Sequence, residues 1–331
     1  MNPVLKKEPW TLQLGLNHHK PYDFCVFSWQ SEKSKVSGYY LIYRFVVAAH
    51  PVLKKEHWTL QLGLNHHKPY DFCVFSWQSE KSKVSGYYLI YRFVVAALLL
   101  SISVFCLSVS QHPNYWFIYL SHNGLILQTI HLGVAAALPV QLLLTPPKDG
   151  FDNSLSHSSR FSWFLYNVTN SISLIISAVF WAGFSVVERE PKDTDFLIHG
   201  MNSIITICDL FISKRPCRLL HFTHSLAIFI PYGVFSVIYW AAGGRRENGM
   251  SAIYPLLDWD NVSVTLPRVT VGLILGLLFI HGLVWALHLF RDRVLNCVNS
   301  HRTEEKPALH GQWNPALNID ENRVVGFDII V

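Results

Sequence analysis

The sequence predicts an all-α membrane protein in which about six transmembrane helices form a polytopic bundle. Half of its 331 residues are hydrophobic and only 15% are charged, whereas soluble domains usually carry about 25% charged residues. The apolar residues are gathered in blocks of roughly 18 to 28 residues, and about 20 helical residues cross a hydrocarbon core. A helix is expected in each block because backbone groups in lipid must be paired internally.

Six such blocks follow one another along the chain. We expect transmembrane helices near residues 88–109, 116–142, 163–187, 196–213, 218–241 and 269–290. The fourth block is short and contains His199, Asn202 and Asp209. Each block is long enough to cross the bilayer as a helix, so the lipid bilayer is the first partner that the sequence implies.

The N-terminal region contains an internal duplication. Residues 3–49 and 51–97 are the same segment except for Pro9 in the first copy and His57 in the second. Functional repeats diverge between units and need three or more units to bury a core. We therefore interpret residues 1–50 as an extra copy without an independent fold, produced by an exon duplication or a gene-model error.

The charges of the connections predict that both termini are cytoplasmic. Lys and Arg are concentrated before the first span, in the second and fourth connections and after the last span, and such segments stay on the cytoplasmic side. Three arginines in 243–268, on the predicted outer side, make this asymmetry of positive charge weaker. The remaining chain then divides into a cytoplasmic segment (51–87), a six-helix transmembrane domain (88–290) and a polar cytoplasmic tail (291–331). Asn261 begins a glycosylation sequon on the predicted outer side.

Polar residues inside the predicted spans indicate a polar interior shared by spans two, three and four, either a cavity or a hydrogen-bonded seam. Arg92 and Asp209 lie at matching depths near the cytoplasmic side, so we expect a structural ion pair. Ser121 and His199 lie at matching depths near the outer side, and a hydroxyl with an imidazole can form a nucleophile and base. Asn170 is a candidate oxyanion donor for that dyad.

The sequence lacks a phosphate loop, a dinucleotide-binding glycine pattern and a zinc signature, so we expect no cofactor and no metal. The histidines of the last two spans show no evident axial pair for haem. The basic patches adjoin the membrane and do not indicate nucleic acid. The apolar C-terminus, which ends at Val331, is a candidate ligand for a domain that captures a terminal carboxylate.

Several segments occur in an order and spacing that are familiar. They are YLIYRFVVA at 88–96, YWFIYLSHNG at 115–124, HGMNSIITICDLF at 199–211, RLLHF at 218–222, VIYWAAGG at 237–244 and YPLLDW at 254–259. Together they resemble the rolling stone family of insects over most of residues 57–290. The resemblance implies a plasma-membrane protein that acts in myoblast fusion or muscle development, with the endoplasmic reticulum as the alternative location.

That family is distantly similar to the androgen-induced family of intramembrane hydrolases, which cleave fatty acid esters of hydroxy fatty acids. The histidine of their HGM motif falls on His199, and their threonine nucleophile, which follows an aromatic-leucine pair, falls on Ser121. The resemblance thus implies an alternative function, Ser/His hydrolysis of a lipid ester, with serine in place of threonine. A transporter is a third alternative, and the sequence shows no inverted repeats that would favour it.

Overall fold

The computed structural model describes residues 61–78, 84–146, 155–184 and 192–304. These residues are mainly helical and contain no β-strand, although Phe75 and Ser213 form an isolated antiparallel bridge. The duplicated copy at residues 1–50 and the C-terminal Val331 lie outside the described residues, so the predictions made for them stay predictions.

Contacts divide the chain into two compact units. One unit, Gln30–Arg293, contains the helical bundle. The other comprises Met1–Trp29 and Val294–Val331, of which the structure describes only 294–304, the end of the last helix.

Six helices in the described residues are long and apolar enough to cross a membrane. They are α1 (Gly86–Ser108), α2 (Leu120–Leu144), α3 (His157–Phe184), α4 (Asp193–Ile212), α5 (Phe222–Ala241) and α6 (Val262–Glu304). The predicted all-α fold with about six membrane helices is therefore confirmed. The largest difference is in α6, which begins before residue 269 and continues beyond residue 290 into the predicted polar tail.

The helices carry the side-chain distribution of a membrane bundle. Large apolar side chains such as Phe93, Leu100 and Phe279 point outwards, and Phe279 is 72% exposed. Many polar side chains are instead buried inside. Lipid tails solvate apolar side chains as well as a protein core does, so packing and hydrogen bonds inside the bundle hold the helices together.

The α3 helix occupies the centre of the bundle. It packs against α2, α4 and α5, and 61% of its most apolar stretch is buried, compared with 22% for α1. Where α2 crosses α3, Gly124 lies so close that a Cβ atom there would be 2.8 Å from the Ile176 Cδ1 atom. At this point α2 and α3 pack closely together, with Ile172 and Ile176 against Gly124.

One end of the bundle is closed by residues 109–119 and 242–261, which we call the cap. The Tyr119 hydroxyl donates to the Glu247 carboxylate at 2.5 Å, and the Trp259 indole donates to the Ser236 hydroxyl at 3.1 Å. Gly249 turns the chain with a φ of 81°, a conformation that glycine adopts without strain. The cap is thus an ordered structure above the helix ends.

The opposite end, which we call the basic end, consists of residues 61–78 and the α4–α5 connection at 213–218. The Ser76 backbone N–H donates to the Ile212 carbonyl at 2.8 Å, and the Arg218 guanidinium donates to the Gly63 carbonyl at 2.7 Å. The segment before α1 is therefore folded onto the bundle at the helix ends that the charge pattern predicts to be cytoplasmic.

Candidate functional site

The structure brings Arg92 of α1 and Asp209 of α4 together inside the bundle. The Arg92 Nη1 atom donates to Asp209 Oδ1 at 2.7 Å, and both side chains are almost fully buried. The Tyr91 hydroxyl donates to the same carboxylate oxygen at 3.0 Å, while Arg92 also donates to the hydroxyls of Tyr88 and Ser213. A buried ion pair is tolerated only when such additional hydrogen bonds satisfy its remaining donors and acceptors.

A hydrogen-bonded seam runs through the middle of the bundle between α2, α3 and α4. The Gln128 amide donates to the Thr206 hydroxyl at 3.2 Å, Thr206 bonds to the Ser173 hydroxyl at 2.8 Å, and the Ser203 hydroxyl donates to the Ser173 carbonyl at 2.9 Å. Of the two arrangements that the polar stripes allow, the described residues form the hydrogen-bonded seam.

Ser121 and His199 lie near the cap end on neighbouring elements. Ser121 is the second residue of α2, and His199 lies in a π-helical turn of α4, Phe196–Met201, against which α2 packs. Both are 8% exposed. Among the hydrogen bonds of the described residues, none joins the Ser121 hydroxyl to the His199 imidazole, whose ring instead stacks on Phe180 with centroids 3.6 Å apart.

Asn170 lies deeper in the bundle than Ser121. Gly124, one turn below Ser121, already contacts Ile176 of α3. Asn170 is six residues further from the cap than Ile176, which is about 9 Å along a helix. The structure therefore does not bring Asn170 to the hydroxyl of Ser121, and an oxyanion donor must lie within hydrogen-bond reach of the reacting atom.

The polar group that does approach Ser121 is the hydroxyl of Tyr254, a residue of the cap. It accepts from the Ser121 backbone N–H at 3.5 Å, and burial raises the pKa of Tyr254. Tyr254 begins the YPLLDW segment that contributes to the family resemblance, but a loop residue carries no periodicity that could place it over the end of a particular helix.

The histidines of α6 pair with α3. Tyr166 bonds to His288 at 2.8 Å, and Ser171 bonds to His281 at 3.1 Å. The described residues contain no group of three His, Cys, Asp or Glu side chains that could hold a metal ion. The hydrogen bonds of His281 and His288 connect the last helix to α3.

Two further arginines are buried at the basic end. Arg291 of α6 donates from Nη1 to the carbonyls of Leu210 and Ser213 at 2.8 and 2.6 Å. It satisfies orphan carbonyls where α4 ends, a place that suits a cation. Arg215 is completely buried. In the sequence both arginines contribute only to the charge bias that predicts orientation, because nothing there distinguishes a buried arginine from an exposed one beside a membrane.

The sequon residue Asn261 lies in the cap at the start of α6. It is exposed, and its side-chain amide donates to the Asp258 carboxylate at 2.8 Å. The Asn261 side chain is therefore accessible at the surface of the cap, and its glycosylation stays a prediction.

Six membrane-length helices with apolar outer faces and a polar interior define a multi-pass α-helical integral membrane protein. The sequence profile of the family described as Protein rolling stone matches residues 49–303, which is well over half of the chain. The chain therefore belongs to the rolling stone family.

Among curated proteins, Protein rolling stone of Drosophila melanogaster is 30% identical over 175 residues. The matched region is 49% of this chain and 62% of that relative, so the chain spans less than two thirds of the relative's length. No solved structure matches the chain.

Proposed function

We propose that this chain acts in cell–cell fusion as a multi-pass protein of the plasma membrane, with its cap facing the outside. The observation that carries this proposal is membership of the rolling stone family, since the family resemblance implies a role in myoblast fusion. A role at the plasma membrane also fits an ordered cap that stands above the helix ends and is available to a second cell.

The composition of the cap surface supports this proposal. Phe117, Met250 and Leu256 are large apolar side chains, and each is close to half exposed or more. Exposed apolar residues on a surface that lies beyond the spans are typical of sites that contact a membrane or another protein. In a fusing pair of cells, these side chains would be the part of the chain nearest to the opposing membrane.

The experiment is a cell-mixing assay with two populations of fusion-competent cells that carry different fluorescent labels. Cells that lack the chain should form fewer two-colour syncytia, and the wild-type chain should restore them. A Phe117→Ser, Met250→Ser, Leu256→Ser variant should reach the surface but restore fewer. A matched variant with exposed polar cap residues changed, Gln111→Ser with Asn114→Ser, should restore fusion fully. Normal fusion in cells that lack the chain would reject the proposal.

Intramembrane hydrolysis of a lipid ester is the second candidate function. The observation that favours it is the burial of Ser121 and His199 on packed neighbouring elements near the cap end. In this reaction the Ser121 hydroxyl attacks the ester carbonyl and forms an acyl-enzyme. His199 accepts the hydroxyl proton and returns it to the leaving alcohol, and water then releases the acid. A substrate that draws the two side chains together would complete the dyad.

A fluorophosphonate probe tests this second function on the purified full chain. Labelling should be lost in Ser121→Ala and His199→Ala. It should persist in Ser101→Ala, which removes an exposed hydroxyl of α1 that donates to the Ala97 carbonyl. A folded wild-type chain that takes up no probe would leave the fusion proposal as the only one.

A further inference from the structure

Arg215 is a fully buried guanidinium whose donors are only partly used. Its side chain lies over the Tyr166 ring at 5.4 Å, and its Nη1 atom faces His131 Nε2 at 3.4 Å. Its Nε and Nη2 atoms are buried and have no hydrogen-bond partner, and no carboxylate of the described residues lies within salt-bridge distance of it.

The charges at the basic end do not balance. Three buried guanidinium groups lie there, those of Arg92, Arg215 and Arg291. Asp209 neutralises Arg92, and Asp292 pairs with Arg291 at 2.8 Å. The charge of Arg215 is left over among the described residues. Burial, together with the neighbouring Arg92 charge, lowers the pKa of Arg215.

An isolated charge in a buried environment is strongly unfavourable. Other ionisable residues avoid this cost by shifting their pKa and becoming neutral. Arginine does not, because its guanidinium stays protonated in proteins. No carboxylate of the described residues supplies the compensating charge, so an anion from elsewhere would relieve this cost.

The free donors have the geometry of an oxyanion site. The Nε and Nη2 atoms lie on the same edge of the planar guanidinium, and this fork matches two oxygens of a carboxylate or a phosphate. His131 contacts the remaining nitrogen, Nη1, which does not belong to this edge. If its Nε2 atom accepts from Arg215, its Nδ1 atom carries the proton, and Nδ1 has no partner in the described residues.

The position in the fold favours phosphate over carboxylate. Arg215 belongs to the connection between two spans, α4 and α5, so it lies near the level of the lipid headgroups. Phosphate groups are the abundant anions at that level, and basic pockets between transmembrane helices on the cytoplasmic side bind phosphate-bearing headgroups.

We propose that the free guanidinium edge of Arg215 binds a phosphate group inside the basic end of the bundle. The phosphate is carried by an anionic phospholipid of that leaflet or is free inorganic phosphate, and both present the same oxygens to the fork. Binding neutralises the leftover charge, so the occupied site stabilises the fold.

The test uses the full chain, freed of lipid in a sugar-based detergent and a phosphate-free buffer. Thermal unfolding is followed while inorganic phosphate, a short-chain phosphatidate or the matching phosphate-free diacylglycerol is titrated in. Four chains are compared: wild type, Arg215→Gln, Arg215→Lys and Lys214→Gln. The Lys214→Gln variant removes one positive charge at the neighbouring position, where the lysine instead faces Asp71 at 3.5 Å.

We expect phosphatidate, inorganic phosphate or both to raise the Tm of the wild type and of Lys214→Gln, and diacylglycerol to have no effect. A rise with phosphatidate alone identifies a lipid headgroup as the source, whereas a rise with inorganic phosphate identifies a free ion. Affinity should fall by at least about tenfold in Arg215→Gln. Arg215→Lys keeps the charge but lacks the forked pair of donors, so its affinity for phosphate should lie between that of the wild type and that of Arg215→Gln.

Either of two results would overturn the proposal. One is the absence of any Tm rise in the wild type with either phosphate source. The other is an equal rise in the wild type and in Arg215→Gln. Should Arg215→Gln fail to fold, the comparison of the wild type with Arg215→Lys decides, because an equal affinity of these two would also contradict recognition by the fork.

Discussion

Single polar residues decide how this bundle holds together, because its outer surface is apolar and faces lipid. Arg92 and Asp209 show this most clearly, since each charge is buried and each would be costly without the other. The hydroxyls of Tyr88, Tyr91 and Ser213 complete the hydrogen bonding of the pair. The stability of the bundle therefore depends on whether each buried polar group has its hydrogen-bond and ion-pair partners, more than on how many polar groups are buried.

Breaking the Arg92–Asp209 pair on one side should destabilise the fold strongly. Arg92→Ala or Asp209→Ala leaves the other charge buried and unpaired, which should lower the free energy of unfolding by about 3–5 kcal/mol. The double variant Arg92→Met, Asp209→Leu should be much less destabilised than the sum of the single changes. Denaturant unfolding in detergent measures all three.

Lys214→Ala is the matched control for this pair, because Lys214 faces Asp71 at 3.5 Å in a partly exposed position. It should change stability by no more than about 1 kcal/mol. Strict additivity of the two single changes at Arg92 and Asp209 would show that the pair does not act as a unit.

The sequence could predict which residues lie at the same level in the bundle when their distances from the span ends were enough to decide it. The spacing of Arg92 and Asp209 from the span ends placed them at one level, and the structure has them in contact. It was not sufficient for Asn170, because the level at which α3 crosses α2 depends on the close approach at Gly124. Arg215 and Tyr254 lie in connections, where no periodicity indicates burial.

At the scale of the elements, the contact between α2 and α3 determines the position of the polar seam. Gly124 permits the close approach, and Ile172 and Ile176 of α3 fill the space beside it. Gln128, one turn further along α2, then lies within reach of Thr206 on α4. The number and type of helices followed from apolar block length, whereas their relative levels depend on such contacts and could not be predicted.

A large side chain at Gly124 should therefore separate these helices. Gly124→Leu should lower the free energy of unfolding by about 1–3 kcal/mol through overpacking against Ile176. Gly133→Leu on the same helix should be neutral or stabilising, because Gly133 is exposed and nothing lies within 4 Å of its Cβ position. Equal effects of the two changes would show that α2 and α3 are not in tight contact at Gly124.

The cap should loosen at low pH. Burial is the largest single influence and alone would raise the pKa of Glu247. The hydrogen bond from Tyr119, a backbone hydrogen bond and the positive charge of Arg246 together outweigh it and lower the pKa. The stabilisation is therefore fully present above the unfolded-state pKa of about 4.3 and is lost as pH falls through the lower folded-state pKa. The protection factors of the backbone amides in residues 242–261, which correct for the slower intrinsic exchange in acid, should decrease over this range.

Glu247→Gln provides the control for this acid effect, because it removes the titrating group but keeps a side chain of similar size. Its exchange in the cap should already be faster at neutral pH and should change less on acidification. An identical acid response in the wild type and in this variant would assign the loosening to another group.

At the scale of the whole molecule, we propose that the basic end lies in the cytoplasm and the cap lies outside the cell. Six spans and the positions of Lys and Arg predict this orientation. The proposed role in cell fusion depends on it, because only an outer cap can meet another cell. The length of α6 could not be predicted from charge or from the length of the apolar block. A helix can continue into polar sequence because each added residue extends a ladder of backbone hydrogen bonds that has already begun.

Glycosylation of Asn261 tests this orientation most directly. The full chain, expressed in animal cells, should carry an N-linked glycan that an endoglycosidase removes. Ser263→Ala should abolish it while leaving the Asn261–Asp258 hydrogen bond in place. Thr169→Ala should not, because it removes a different sequon, Asn167-Val168-Thr169, which is buried within α3. The predicted orientation would be contradicted by two results together: the wild-type chain lacks the glycan, and a membrane-impermeant reagent modifies the cap only after the cells are permeabilised. These results would place the cap in the cytoplasm, away from any second cell.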